Sequence, residues 1–596
     1  MAGQQADFPK YDPNDSQFIT REEEYLGKKI DVIYRKGKGG YNKEQMAEMA
    51  AKGTPVSGFS YIADLNTHSY EIVPGIICDR DTPVKMRDGV TIYADIYRPK
   101  TEEKVPVIIS WGPFGKNQAE AGPTFKLMGV PPHTVSRMAK FEAADPGYWC
   151  RYGYAVANVD PRGVGNSEGY VSNWGVQDRY DGYDFIEWVA AQDWCNGRTS
   201  MFGNSGVCMV VWQIASVAPP HLTCIGAWEG TGDMYRESFT LGGIKASGYN
   251  NRMVNNIGSK TYIEDAPNML DSHPFYDEYW RARTPIWENI RIPAYICAGL
   301  CHIHLRGSFE AFRKIRSPKK WMRAHRDMEW PDTYNPNNLE DLRRFYDRYL
   351  KDINNGWEFT PKVRIDVTDA YDYDYDPKHV EKEFPIARTE YRKLYLDAAT
   401  HSMSYEQYPA HSEVEYDPKT ETTTFDVVFD EETEVIGYIS LRLYVECRGH
   451  DNMDLFPWVK KINCNGEYTP VYCMGEPYRG AWGYMRTKRR ELDPELSTPY
   501  QPVQAHQKDE PMEPGKIYPV DIEFYPHSRI WHKGETMRLE IQGRFIYTEW
   551  FEDDHMVFDY DNGEGKHVIH TGGEYASYLQ IPFIPPKYQS GDYIVR

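Results

Sequence analysis

The chain has 596 residues, 41% of them hydrophobic and 14% aromatic, with 46 Tyr and 16 Trp, which is too long for one ordinary hydrophobic core and too apolar for a disordered chain. Its formal charge of −20 repels nucleic acid and anionic membrane surfaces at long range, which excludes both as main partners. The balance leaves a small-molecule substrate as the expected partner.

The first eighteen residues, "MAGQQADFPKYDPNDSQF", lack a basic segment followed by an apolar one, and no run of eighteen apolar residues occurs, so a soluble cytoplasmic protein is expected. Ten cysteines without CxxC pairs read as buried thiols. The HxH at His302 and His304 has no carboxylate beside it in sequence, and neither a metal site nor a cofactor is expected.

Residues 1–70 are polar and form an N-terminal extension, with a helical-looking stretch, "NKEQMAEMAAKG", ending at Gly53. From Ile72, "VKMRDGVTIYADIYRP" alternates around Asp88-Gly89 and predicts a β-hairpin. "VPVIISW" and "YGYAVANVD" are short apolar runs and predict buried parallel strands. The glycines of the following Asp160-Pro161-Arg162-Gly163 loop are read as a structural turn rather than a dinucleotide site, with Arg162 in a buried ion pair. "VQDRYDGYDFIEWVAAQDWCNG" has helical spacing with Asn196-Gly197 as its stop; "TSMFG" is a strand, and "VCMVVWQIASVA" is a helix halted at Pro219-Pro220. This alternation predicts a doubly wound, mostly parallel α/β sheet over 71–234 and 291–355, with the chemistry at the carboxyl ends of its strands. Residues 235–290 break the rhythm and predict an inserted helical cap. "RIPAYICAGL" and "KKWMRAH" return as strands, and 356–596 alternates with turns every eight to twelve residues, as in a β-sandwich of jelly-roll type.

Gly203-Asn204-Ser205-Gly206, between a strand and a helix, has the pattern of a nucleophile elbow, in which small neighbours expose the serine on a strained turn. Val207 stands where the second glycine of GxSxG belongs. Read on these residues alone, Ser205 is either a nucleophile or a small residue that fits a tight turn.

"VDPRGVGNSEG", "DWCNGRTSMFGNSG", Trp212, "APPHLTCIGAWEGTGDMYRE", "PKKWMRAH" and "GWEFTPKVRIDV" occur in the order of the cocaine esterase, X-prolyl dipeptidyl aminopeptidase and α-amino-acid ester hydrolase family, which the chain resembles from Ile72 to its end. The resemblance implies an α/β-hydrolase with a cap and a C-terminal jelly roll. It implies Ser205 as nucleophile, His325 as base and the Gly206 amide in the oxyanion hole. The family's second oxyanion donor, a tyrosine hydroxyl, is lost here, since Phe114 occupies its position, and the family's acid position carries His302. Asp327, Glu329 or His302 could take the acid's orienting role, and His304, Trp149, Trp174 and Trp228 are expected pocket residues.

Two readings stand at this stage. One is a serine hydrolase that cleaves an ester or amide of a small, largely apolar acyl compound through an acyl-enzyme. The other is a hydrolase scaffold with an incomplete triad that binds a ligand or performs cyclisation, elimination or isomerisation with its histidines. Asp265, Asp271 and Asp277 in the cap are candidates for holding a substrate amine, and self-association into a homo-oligomer is left open.

Overall fold

The structure, a computed structural model, describes residues 9–587 except 38, 40–43, 45–47, 49–50, 52–61, 117–124, 127, 247, 249–250, 252–253, 255–256, 472–481 and 546–556. Its centre is one twisted sheet. In chain order the strands that build or flank it are β1 (Phe18–Tyr25), β2 (Lys28–Lys36), β3 (His68–Val73), β4 (Ile76–Lys85), β5 (Thr91–Pro99), β6 (Val105–Trp111), β7 (Ala155–Asp160), β8 (Cys195–Asn204), β9 (Leu222–Trp228), β10 (Thr240–Leu241), β11 (Ile244–Lys245), β12 (Tyr262–Glu264), β13 (Ala294–Gly299), β14 (Lys320–His325), β15 (Val363–Ala370) and β16 (Tyr373–Glu381). The sheet order is β3-β4-β5-β7-β6-β8-β9-β13-β14-β15-β16. From β7 to β15 neighbours are parallel, and the outer pairs are antiparallel.

The apolar runs fold this way because both faces of the sheet are covered. Every residue of β6, β7 and β13 is buried, as a central parallel strand requires. Successive residues serve opposite layers: Val107 and Ile109 join Phe185, Ile214 and Phe309 on one side, while Ile108 joins Trp149, Tyr346 and Trp357 on the other. The helices Val176–Ala190, Ser205–Ala215 and Leu305–Lys314 therefore share one face, and Pro336–Leu350 covers the other.

The hairpin at Asp88-Gly89 is present, with Gly89 at φ 91° and β4 paired antiparallel to β5. Three local expectations shift. The helix Val176–Ala190 stops before Asn196-Gly197, which lie inside β8. The first strand of the C-terminal segment, β15, pairs parallel with β14 and so extends the central sheet, while its Thr368 also pairs with Arg529 of the C-terminal strand Ile517–Trp531. The segment expected as a helical cap is mixed, with one π-helical turn (Tyr235–Phe239), the β10–β11 hairpin and the short helices Ala266–Ser272 and Glu278–Ala282. Its strand β12 pairs with β2, so the N-terminal β1–β2 hairpin is fastened to the cap. Of the stretch from Asn42 to Gly53, only Glu44, Glu48 and Ala51 fall within the described residues, and they are helical.

The C-terminal segment is β-rich with a core of its own, in which the long strands Thr433–Arg448 and Ile517–Trp531 pair antiparallel over Leu441, Leu443, Ile522 and Phe524. Among the described residues no helix is long and apolar enough to cross a membrane, and the cysteines are free, all but Cys464 buried.

Close approach at Gly182 seats the helix that begins at Ser205. A Cβ at this position would lie 2.2 Å from Cδ1 of Ile214. We expect Gly182→Ala to lower stability by about 1–3 kcal/mol through overpacking, despite the better helix propensity of alanine. Calorimetry should show the loss, and Ile214→Val in the same chain should recover part of it.

Candidate active site

Ser205 follows the last residue of β8 and opens a helix with φ 52°, a left-handed backbone that a side-chain-bearing residue adopts only when its surroundings enforce it. The flanking glycines are required by space. A Cβ at Gly203 would meet Cγ1 of Val207 at 2.5 Å, and one at Gly206 would meet the Phe114 ring at 2.9 Å and Trp174 at 3.3 Å. Two hydrogen bonds brace the turn: Asn204 N–H donates to the Glu142 carbonyl at 3.0 Å, and Trp174 Nε1–H donates to the Gly206 carbonyl at 2.7 Å.

The imidazole on Ser205 belongs to His304, whose Nε2 lies 3.0 Å from Ser205 Oγ. Its Nδ1 lies 2.7 Å from Thr231 Oγ1. His325, the expected partner, is elsewhere. It ends β14, three strand spacings of about 4.8 Å from β8 in the order β8-β9-β13-β14. Its Nε2 faces Glu229 Oε1 at 2.9 Å and Asp332 Oδ2 at 3.2 Å, and its Nδ1 lies 3.1 Å from the Asp327 carbonyl oxygen. The loop after β13 starts one strand nearer to the serine, and His304 caps the helix Leu305–Lys314 at its mouth.

The loop after β13, where the resemblance implies a carboxylate, supplies His302 and His304. The loop after β14, which follows His325, supplies buried Glu329, 3.1 Å from His302 Nε2. The HxH pair therefore has a carboxylate neighbour in space that it lacks in sequence, and one donor atom each from His302, His304 and Glu329 lie within 4.8 Å of one another. The Asp327 side chain is exposed, and only its carbonyl meets a histidine.

Buried charge surrounds this group. Burial pushes the Glu142 carboxyl up to about 8, while the Trp330 indole N–H, the Ser205 hydroxyl and the amides of Val207 and Gly206, all against it, pull the other way. Trp330 Nε1 lies 3.2 Å from Glu142 Oε1. Burial also raises Glu229, opposed by His325. For His325 burial alone would lower the value, but Asp332 and Glu229 outweigh it and hold the ring above its ordinary range. Asp332, despite burial, is held low by Arg323 and His325 and accepts from Arg323 Nη1 at 2.9 Å and Trp228 Nε1 at 2.9 Å. His325 is thus part of a closed network of ion pairs.

The other expected site residues divide. Phe114 lies over Gly206 and meets Phe141 edge-on at 5.8 Å; Phe141 in turn meets Trp330 at 5.7 Å, so an aromatic wall runs beside the serine. Trp174 belongs to the same wall. Trp149 packs on Tyr154 and Tyr346 in the layer on the far side of the sheet, away from Ser205. Trp228 lies at the ion-pair network. Arg162 has its expected ion pair, with Asp181 at 2.8 Å. Asp265 and Asp277 cap short cap helices and Asp271 pairs with Lys245, so the three do not converge.

Thr231, Glu142, Glu229 and Asp332 were not legible as site residues, and His304 was legible only as a pocket residue. Glu229 had one usable signal, an acidic residue directly after the buried strand β9. Glu142 had none, because only the docking of its loop onto Asn204 brings it to the serine.

Comparison with known proteins follows the same lines. The family model of the X-Pro dipeptidyl-peptidase (S15 family) matches residues 88–255, and that of the X-Pro dipeptidyl-peptidase C-terminal non-catalytic domain matches 355–580. The cocaine esterase of Rhodococcus sp. (strain MB1 Bresler) is 32% identical over 154 residues, 26% of this chain and 24% of that protein. A putative serine esterase of Mycobacterium bovis is 33% identical over 131 residues, 20% of each. The chain thus spans a quarter or less of the length of these curated relatives. The crystal structure of a CocE/NonD family hydrolase from Staphylococcus aureus, at 33% identity, superposes with a TM-score of 0.81 over 85% of this chain and 94% of that one. That of an α-amino acid ester hydrolase shares the fold at 17% identity and a TM-score of 0.62, over 88% of this chain and 99% of that one. With a strand-to-helix serine on a parallel sheet and a likeness that spans nearly the whole of the staphylococcal hydrolase, the chain belongs to the CocE/NonD family of α/β-hydrolases.

Proposed function

We propose that the chain is a serine hydrolase that cleaves an ester or amide of a small, largely apolar acyl compound through an acyl-enzyme on Ser205. The observation that carries the reading is the 3.0 Å contact between Ser205 Oγ and His304 Nε2. Ser205 passes its proton to His304 Nε2 as Oγ bonds to the substrate carbonyl carbon; collapse of the tetrahedral adduct expels the leaving group, which takes that proton, and water repeats the sequence to release the acid. Thr231 accepts from His304 Nδ1–H and fixes the tautomer that leaves Nε2 free to act as base. A neutral hydroxyl orients the ring but stabilises the imidazolium less than a carboxylate does. The apolar acyl group packs on Phe114, Phe141 and Trp174.

The oxyanion site needs a second donor, because Phe114 has no hydroxyl. The Glu142 carboxyl lies against the Ser205 hydroxyl and the Gly206 amide, and an acid kept neutral by burial can donate to a developing oxyanion. In this reading Glu142 stands in for the lost tyrosine. Its ionised form would instead repel the oxyanion.

A fluorophosphonate probe should add mass to the wild-type chain and none to Ser205→Ala. His304→Ala should slow labelling by at least about a hundredfold with the fold intact. His325→Gln should leave labelling within a fewfold and cost about 3–5 kcal/mol of stability in denaturant, because it strands Glu229, whereas Asp332 keeps Arg323. Labelling that depends on His325 and not on His304 would overturn the assignment. No labelling of Ser205 would favour proton-transfer chemistry without an acyl-enzyme.

The pH profile tests Glu142. Because its carboxyl is raised to about 8, the neutral donor is present at pH 7 and is lost as the pH climbs through that value, so hydrolysis of an activated ester should fall on the alkaline side. Glu142→Gln keeps an N–H donor that does not ionise and should flatten that limb. Glu142→Ala should lower turnover by about 10²–10³-fold. An alkaline limb that is the same in Glu142→Gln as in the wild type would exclude the role.

A further inference from the structure

A second cluster of ligand-type side chains lies in the C-terminal β-rich segment. The strands Ser412–Tyr416 and Lys566–Thr571 pair antiparallel with Glu413 directly opposite His570, and His411, two residues before Glu413, extends the same face. His411 Nε2 is 3.1 Å from His570 Nδ1, and Glu413 Oε2 is 3.4 Å from that same nitrogen. One donor atom from each of the three residues falls within 4.8 Å of the others.

We propose that His411, Glu413 and His570 form a zinc site that clips these two strands together, with water completing the tetrahedron. Bonds of about 2.0–2.1 Å in tetrahedral array set neighbouring donor atoms roughly 3.3 Å apart, which the 3.1 and 3.4 Å separations match. The outer contacts are those that orient metal ligands. His570 Nε2 lies 2.9 Å from Glu446 Oε2, so the ring donates outward and presents Nδ1 as a lone pair toward its neighbours. In the metal-free protein that lone pair accepts from His411 Nε2–H, and zinc would displace this one proton and bind both nitrogens. Arg448 does not fill that place, because its guanidinium holds the other oxygen, Glu413 Oε1, at 3.1 Å and also pairs with Glu446 and Glu415. Tyr575 packs edge-on to His411 at 5.2 Å and lies 5.5 Å from His570, which fixes both rings.

The two other groupings of this kind among the described residues are already committed. Lys461 provides a cation to Asp369 and Glu535. Both nitrogens of His304 are engaged by Ser205 and Thr231.

The full chain, dialysed against a chelator and titrated with zinc chloride in a calorimeter, should take up one equivalent with micromolar or tighter affinity. His411→Ala and Glu413→Gln should each weaken uptake by at least tenfold while their circular dichroism matches the zinc-free wild type. Glu446→Gln should weaken it by about 10–100-fold. His302→Ala should leave it unchanged. Absence of saturable uptake, uptake unaffected by His411→Ala, or uptake lost in His302→Ala would overturn the site.

Discussion

The left-handed backbone at Ser205 is the constraint on which the rest of this site depends. A residue held at φ 52° costs of order 1 kcal/mol or more, and it persists because β8, the following helix and the Glu142 and Trp174 hydrogen bonds leave the chain no other path. That turn lifts the hydroxyl off the sheet and places the first amides of the helix behind it. The demand propagates outward. Gly203 and Gly206 exist because Val207, Phe114 and Trp174 crowd the same space, and Gly182 exists because the helix must seat deeply on its neighbour.

Around the serine, position in the sheet decides which side chain reaches it. The loop after β13 rises one strand nearer than the loop after β14, so a histidine placed there can meet Ser205 directly, and His325 at the end of β14 is free to serve another purpose. There, beside Arg323, its Nε2 faces Glu229 and Asp332 in a fully buried network. Taking these charges out of water is expensive, and removing one partner would leave the others uncompensated. The network braces the floor of the site without touching Ser205.

A histidine pair in place of a carboxylate in the loop after β13 has an electrostatic consequence. A serine–histidine pair backed by Thr231 has a fixed tautomer but little Coulombic support for the imidazolium. On the proposed reading, a neutral Glu142 beside the Gly206 amide would shift the burden from the acid of the triad to the oxyanion site, where a donor away from water acts most strongly. Burial raises the Glu142 carboxyl beside the aromatic wall of Phe114, Phe141 and Trp330, against the opposing pull of the Trp330 N–H.

Legibility in the sequence followed range. The buried strands β6, β7 and β13, the hairpin at Asp88-Gly89, the helices on either side of Ser205 and the serine's own turn were all readable, because apolar periodicity and turn chemistry are local properties of a few consecutive residues. Family membership was readable as well, since it rests on motifs in order. Which histidine meets Ser205 was not, because that depends on strand order and on how far each loop projects, and His302, His304 and His325 look equivalent along the chain. The joining of β15 to the central sheet and of the N-terminal hairpin to the cap were hidden for the same reason. Glu142 lay furthest from any local signal: its proximity to the serine and its raised carboxyl both arise from segments as far as 188 residues along the chain, so only the tertiary structure could decide them.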